Sequence, residues 1–413
     1  GMVDTLMLSA VGDYAVGAVG TANSYIGIFI IMFSIISSGM VSVMTQNIGA
    51  GRSGVAYQAR QLGLLFNAVA GVLMAVFLFS GAGAILRMVG IADALYEPAL
   101  IYLKIVGGGC ILNAVIPIFS SYLRAFGYTK QPLYATIVGN IANFVMNAVF
   151  LFVLHKGVAG VATATVISKI LNLCIVLYFS HKLISAKNST ERIANKTVLG
   201  QIVKVGLPSA CETALYNVAM MLVIRFLNQM DAEGLNVTAR SYTATISNFS
   251  YCVGAALAQA NAIMTGWHIG AGELEECDRG TKRAAFVGVC VAVCMETAIV
   301  LGSGFIMPLF TDNPEMTALV RKLLAIDIVL EIGRVTNLVF GQALKTSGDA
   351  VFPAVIAAVF MFVFAVGGTW LFGISMGLMA VGAYIGLASD ECVRAVGMVW
   401  RWKTGKWRTK KLV

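Results

Sequence analysis

Eleven apolar stretches, each about as long as a bilayer crossing, leave this chain few ways to fold outside a membrane. They run over 16–44, 62–84, 99–123, 133–154, 158–180, 202–228, 237–265, 284–308, 322–344, 351–373 and 378–400. A helix needs about 20 predominantly apolar residues to span the hydrocarbon layer. A twelfth, incomplete crossing is expected over 1–12. Only 12% of the 413 residues are charged and 58% are hydrophobic. Soluble domains carry about twice that charge, so an ordinary soluble enzyme is excluded. Abundant Phe, Tyr and Met with only 7 Pro exclude disorder. The fold class expected is an all-α membrane protein with twelve transmembrane helices, the first one incomplete.

The net charge of +9 raises nucleic acid as a partner, but the positions of the charges point to lipid. Six basic residues fall between Arg401 and Lys411, directly after an apolar run. Such a juxtamembrane cluster is drawn to anionic cytoplasmic lipid, and no nucleic-acid motif accompanies it. Between crossings, Arg52, Arg60, Arg124, Lys130, Lys182, Lys187, Arg192, Lys196, Lys204, Arg279, Lys282, Arg283 and Lys345 lie on the same side as this tail. The opposite side holds only Arg87, Lys156, Arg321 and Lys322. The positive-inside bias therefore places both termini in the cytoplasm. Trp400, Trp402 and Trp407 read as interfacial anchors. The eight Cys show neither CxxC nor a Cys/His cluster, so they read as apolar packing residues rather than disulfides or a zinc site.

An internal repeat organises the crossings. Ile48-Gly49-Ala50-Gly51 recurs as Ile269-Gly270-Ala271-Gly272, a displacement of 221. Leu123 to Gly127 followed by Pro132 recurs as Leu344 to Gly348 followed by Pro353, at the same displacement. Six crossings per copy is an even number, so both copies enter the bilayer in the same direction. They are then related by a pseudo-two-fold axis along the membrane normal, which makes a central cleft between two bundles. The expected domains are an N-lobe over 1–190, a C-lobe over 191–400 and a basic cytoplasmic tail over 401–413. Gly206-Leu207-Pro208 opens the seventh crossing, and its counterpart falls before Gly1. The chain is therefore expected to be an N-terminally truncated fragment, impaired in activity.

Charges at mid-bilayer cost about 2.5 to 3.5 kcal/mol on insertion scales, so each marks a functional hypothesis. In the first half these are Asp4, Lys104 and Lys169, with the amides Asn113, Asn140, Asn143 and Asn147. In the second they are Glu212, Arg225, Arg240, Glu296, Asp327, Glu331, Arg334, Asp390, Glu391 and Arg394. Asn140, Asn143 and Asn147 share a helix face, and their oxygens with the Asp4 carboxylate offer part of a shell for a small hard cation. Hydrogen bonding between helices is the competing use of the same amides. Glu331 with Arg334, and Asp390 and Glu391 with Arg394, pair along their helices, either locking two helices together or forming a polar wall of a cavity. Glu212 is expected near the start of its helix, where the dipole favours an anion. No GxSxG, HExxH or P-loop spacing supports catalysis, so no enzyme and no cofactor is expected.

Val3-Asp4-Thr5, Gln46 to Arg52 (QNIGAGR), Leu123 to Gly127 (LRAFG), Asn143 to Asn147 (NFVMN) and Gly157 to Thr165 (GVAGVATAT) occur in order along the chain. In this set the sequence resembles the multidrug and toxic compound extrusion (MATE) family over essentially its whole length. The resemblance implies two six-helix lobes exporting drugs or metabolites in exchange for Na⁺ or H⁺, by alternating access, from a bacterial plasma membrane. It implies Asp4 as the coupling aspartate, with Asn143, Asn147 and Thr165 beside it in a cation site. Asp4, Asn143 and Thr165 are the Na⁺ candidates. Asn147 stands where many members have a second aspartate. Glu212 resembles the glutamate that follows the Gly-x-Pro of the seventh helix and joins Glu331, Arg334, Asp390, Glu391 and Arg394 as the C-lobe polar cluster. The implied partners are a small amphipathic or cationic organic substrate and the bilayer, with the protein acting as a monomer. A lipid-linked saccharide flippase of the same superfamily, or a structural or receptor-like membrane protein, remains the alternative.

Overall fold

The computed structural model describes residues 7–8, 13–88, 91, 93–184, 191–231 and 234–413. Asp4 lies outside them. The described chain is built of helices: α1 Asp13–Gly49, α2 Ser53–Met88, α3 Asp93–Gly108, α4 Cys110–Ala125, α5 Lys130–Ala148 and α6 Gly157–Leu183. They continue as α7 Asn195–Met230, α8 Leu235–Ala271, α9 Leu274–Ile306, α10 Pro314–Thr346, α11 Val351–Phe360 and α12 Met379–Lys403. Wider π-type turns extend α5 through Val149–Val153 and α11 through Met361–Val366 and Thr369–Ser375.

These helices coincide with the expected crossings, with one difference. The stretch 99–123 is a broken span, α3 and α4 meeting at a bend of 40°. The break falls at Gly109, the third of three consecutive glycines, where no side chain packing resists a bend. Among the described residues seven helices are long and apolar enough to cross a membrane on those grounds alone, or eight with the bent pair. Helices α8, α10 and α12 fall outside that set because they carry much of the chain's buried polar inventory, including Ser247, Asn261, Glu331 and Asp390. Their polar faces turn inward. The outward faces of the apolar helices do the opposite: Leu65, Leu73 and Val76 of α2 are 64%, 60% and 61% exposed. In water such a stripe would aggregate, whereas in lipid it is at rest.

The two repeated words are helix stops. Gly51 and Gly272 have φ of 75° and 80°, and Gly127 and Gly348 have φ of 85° and 97°. Only glycine adopts that left-handed conformation cheaply, and it ends a helix by turning the chain back on its last carbonyls. The hydrogen bonds repeat as well. Tyr128 N donates to Leu123 O and Asp349 N to Leu344 O, both at 2.9 Å. At the ends of α1 and α8 the backbones touch reciprocally: a Cβ on Gly49 would meet the Trp267 carbonyl, and one on Gly270 the Gln46 carbonyl. Since 267 − 46 and 270 − 49 both equal 221, the contact maps onto itself under the repeat, as two-fold-related copies require.

The chain divides into two compact units, residues 1–44 with 52–206, and residues 45–51 with 207–413. The division runs through α7 at Gly206, whereas the sequence reading places it at 190. In the first unit α1 and the start of α7 pack backbone to backbone, Gly39 against the Ile202 carbonyl and Gly206 against that of Ile35. Gly39→Val or Gly206→Val is expected to destabilise by about 1 to 3 kcal/mol through overpacking, read as a lower melting temperature in detergent. Equal stability would mean that the crossing tolerates a side chain.

Residues 401–413 fold onto the second unit. Arg401 pairs with Asp349 at 2.7 Å, Arg408 with Glu275 at 2.7 Å, and Leu412 N donates to Gln46 Oε1 at 2.7 Å. Part of the tail's positive charge is therefore spent inside the protein. Trp402 and Trp407 are buried and stacked with centroids 4.2 Å apart, and Trp402 Nε1 donates to Asp278 at 2.7 Å. This corrects their reading as interfacial anchors: the Gly405 turn folds Trp407 back over Trp402. Trp400 stays 58% exposed.

Candidate functional site

Each unit holds a polar cavity among apolar helices. In the first it measures about 470 Å³ and is formed where α5 and α6 face α1 and α3. Asn140 and Asn143 of α5 and Thr165, Ser168, Lys169 and Asn172 of α6 line it. The structure thus brings together Asn143 and Thr165, which the sequence paired only through a family likeness. Asn147 is fully buried one turn beyond Asn143 and donates to its Oδ1 at 3.3 Å. Thr165 Oγ1 donates to the Val161 carbonyl at 2.9 Å, a helix-internal bond that leaves its lone pairs available. Asp4 is not among the described residues, so this pocket is described without it.

Lys169 stands four residues, one helical turn, beyond Thr165 in the same pocket. Its Nζ donates to Asn113 Oδ1 of α4 at 2.8 Å. An ammonium at this depth carries the insertion cost named above, and an amide oxygen held against it offsets part of that cost.

In the second unit a cavity of about 320 Å³ lies among α7, α8, α10 and α12. Tyr216, Tyr251 and Tyr384 supply aromatic wall, while Arg240, Asp327 and Arg334 supply charge. Behind Arg334 the expected pairings form, and they join into one network. Arg334 bonds Glu331 within α10 and approaches Glu391 of α12 at 3.8 Å. Arg394 chelates Asp390 through Nε and Nη2 at 2.7 to 3.1 Å, and its Nη2 reaches Glu391 at 2.8 Å. Asn337 of α10 donates to Glu391 at 3.0 Å. The pairs therefore serve both purposes the sequence left open: they tie α10 to α12, and Arg334, Asp390 and Glu391 also line the cavity.

Glu212 departs from expectation. It lies well inside α7, whose helix starts at Asn195 and continues through Pro208. The helix-start dipole is therefore not its partner; its carboxylate pairs with Lys345 of α10 at 2.8 Å. A proline within a long helix does not mark where that helix begins, and this misplaced the residue.

Two acids stood in the sequence as costly residues but outside the expected cluster. Glu296 of α9 and Asp327 of α10 meet Glu331, with one oxygen of each carboxylate lying within 4.8 Å of the others. All three are buried, Glu296 and Glu331 completely. Neither oxygen of Glu296 has a hydrogen-bond partner among the described residues, and the Ser247 and Ser250 hydroxyls of α8 are likewise buried and unpartnered. Three carboxylates at that spacing repel by about 3 to 4 kcal/mol per pair at an effective dielectric near 20. The Arg334 guanidinium, which pairs with Glu331, offsets only part of this. The cluster is suited to gain and lose positive charge, as a proton or as a metal ion. The signal available in sequence was a lone glutamate inside the apolar run 284–308; that three helices converge on it was not.

A family model described as MatE matches residues 1–149 and 208–371. The chain is 32% identical over 416 residues to the "Uncharacterized transporter YisQ" of Bacillus subtilis (strain 168), covering 99% of this chain and 91% of that protein. It is 20% identical over 426 residues to the "Probable multidrug resistance protein NorM" of Thermotoga maritima, covering 100% of this chain and 90% of that protein. A crystal structure of MATE in the straight conformation, 21% identical, superposes with a TM-score of 0.89 over 99% of this chain and 92% of that one. That likeness speaks for the twelve-helix, two-lobe fold. The motifs in order, the repeated helix stops and the near full-length match agree: the chain belongs to the MatE family of membrane transporters.

Proposed function

We propose that this chain is a cation-coupled antiporter that exports small amphipathic or cationic organic compounds from the cytoplasm across a bacterial plasma membrane. It works by alternating access, exchanging substrate for Na⁺ or H⁺ as a monomer with both termini cytoplasmic. One observation carries this reading: within a MatE transporter, each repeat copy keeps a polar, charged cavity inside helices whose outer faces are apolar. Polar groups kept at bilayer depth are expensive, and in a transporter they mark the path of what is moved. The "multidrug resistance" of the Thermotoga relative's name agrees with the substrate class.

The proposed cation site of the first unit is Asp4 with Asn143, Asn147 and Thr165. In the second unit Glu296, Asp327 and Glu331 exchange positive charge, beside the cavity walled by Arg334, Asp390 and Glu391, with Arg394 paired behind it. Coupling follows if cation and substrate favour different states, since a ligand of equal affinity for both shifts nothing. Inward movement of one positive charge through 100 mV supplies about 2.3 kcal/mol, a substrate gradient of several tens-fold at about 1.4 kcal/mol per decade.

Ethidium counterflow in proteoliposomes, with imposed Na⁺ or proton gradients, tests the reading. Asp4→Asn is expected to reduce gradient-driven transport to background while the protein inserts and purifies normally. Transport unchanged by Asp4→Asn removes the assignment of that residue. Counterflow indifferent to either gradient removes the antiporter and favours the lipid-linked saccharide flippase.

A further inference from the structure

We infer that the first unit carries a site for one anionic phospholipid of the cytoplasmic leaflet, with an acyl chain in a groove between α2 and α7 and the phosphate against Arg192 and Lys196. The groove measures about 390 Å³ and is lined by apolar side chains alone, among them Leu62, Leu65, Phe66, Val69 and Leu73 of α2 and Leu199 of α7. The α2 residues follow one another at i, i+3, i+4, i+7 and i+11, so they share one helix face. Leu65, Phe66, Val69 and Leu73 are each more than half exposed, so the groove opens sideways to lipid. Its length matches one leaflet. With 36 residues α2 runs about 54 Å, against about 30 Å of hydrocarbon. Centred in the bilayer, it leaves about 12 Å of helix outside the hydrocarbon at each end, and Leu62 stands about 13 Å from the start at Ser53. From Leu62 to Leu73 is about 16 Å, close to the half-thickness that one layer of acyl chains fills. The positive-inside bias puts this half of α2 on the cytoplasmic side.

The mouth of the groove supplies partners for a headgroup. Gln58, one turn before Leu62, donates to the Ile193 carbonyl at 2.7 Å and to Asn195 Oδ1 at 2.5 Å, and accepts from Ile193 N at 3.2 Å. This clamp sets the start of α7 level with Gln58, so that four residues further along each helix Leu199 stands level with Leu62. It also fixes the two flanking residues, Arg192 and Lys196, at the depth of the lipid phosphates. Both are exposed and neither has a carboxylate partner among the described residues, whereas Arg52 is spent on Glu191 at 3.4 Å. Lys196 lies three residues before Leu199, on the same side of α7 and about 4.5 Å nearer the cytoplasm. Two such basic side chains favour an anionic over a neutral headgroup by about thirtyfold. The slot selects the acyl chain, the mouth selects the charge, and the bound lipid fills the space that side chains leave between α2 and α7.

The test is native mass spectrometry of the purified chain in detergent holding equal amounts of phosphatidylglycerol and phosphatidylcholine with identical acyl chains. The wild type is expected to retain one phosphatidylglycerol with a preference of about thirtyfold over phosphatidylcholine. Arg192→Gln with Lys196→Gln, both at exposed positions, is expected to erase that preference. Ala70→Phe, which fills the groove from one of its smallest lining residues, is expected to abolish retention of the lipid altogether. Leu65→Gln, at a position 64% exposed, does the same with less risk to the fold, since it sets an amide in the acyl slot. Lys406→Gln with Lys411→Gln, in the basic tail, is expected to change nothing. Equal retention of the two lipids by the wild type overturns the proposal, because the groove then takes any lipid. A preference that survives Ala70→Phe and Leu65→Gln, or that vanishes with the tail variant, also overturns it and moves the lipid to residues 401–413. Binding rather than transport is measured, so failure here leaves the antiporter reading untouched.

Discussion

Arg394→Met is expected to destabilise the second unit by about 3 to 5 kcal/mol, the cost of leaving buried charge without its partner. Arg394 is 4% exposed and is the cation on which both Asp390 and Glu391 close, with contacts of 2.7 and 2.8 Å. Methionine fills similar volume, so the loss is electrostatic rather than a cavity. Thermal melting in detergent, followed by gel filtration, would show an early transition and aggregation. The companion variant Arg394→Met with Asp390→Asn and Glu391→Gln removes the charges that arginine neutralised and is expected to recover much of the loss. If the triple variant melts as early as the single one, packing of the guanidinium rather than its charge accounts for the stability that Arg394 gives to α12.

Glu296→Gln moves stability and function in opposite directions. It removes two of the three pairwise repulsions among Glu296, Asp327 and Glu331, leaving one acidic pair facing Arg334. The melting temperature is therefore expected to rise by a few degrees, each kcal/mol being worth roughly 2 to 4 °C in a unit of about 200 residues. Gradient-driven ethidium counterflow is expected to fall to the level of empty vesicles, because the cluster no longer needs a cation to balance it. Stabilisation with loss of transport is the mark of a strained functional site. A lower melting point with transport intact would assign Glu296 a purely structural role.

Lys169 and Glu296 show what sequence could and could not convey about the sites. Both were conspicuous in a one-dimensional reading, because a charge inside an apolar run is costly wherever the helix ends up. Neither could be given a role, because role depends on what other helices bring. Asn113 is 56 residues from Lys169, and the triad joins α9 to α10 across separate crossings. Asn143 and Thr165 were placed through a family likeness, and the structure gives them a common cavity. Glu212 was named correctly as a buried charge and misplaced along its helix, since proline was taken for a helix start.

What the sequence determined by itself was the architecture along the chain. Apolar run length is a local property set by bilayer thickness, and the repeat is carried by glycines whose positive φ no other residue reaches cheaply. Twelve helices, two copies and a membrane setting all follow from such local constraints. Only the tertiary structure decided which face of each helix meets which neighbour. It bent the crossing over 99–123 at Gly109, buried Trp402 under Trp407, and gathered three acids from two helices into one point. Those outcomes depend on interhelical contacts between residues far apart in sequence, where the energy lies in pairs and no single residue carries the information.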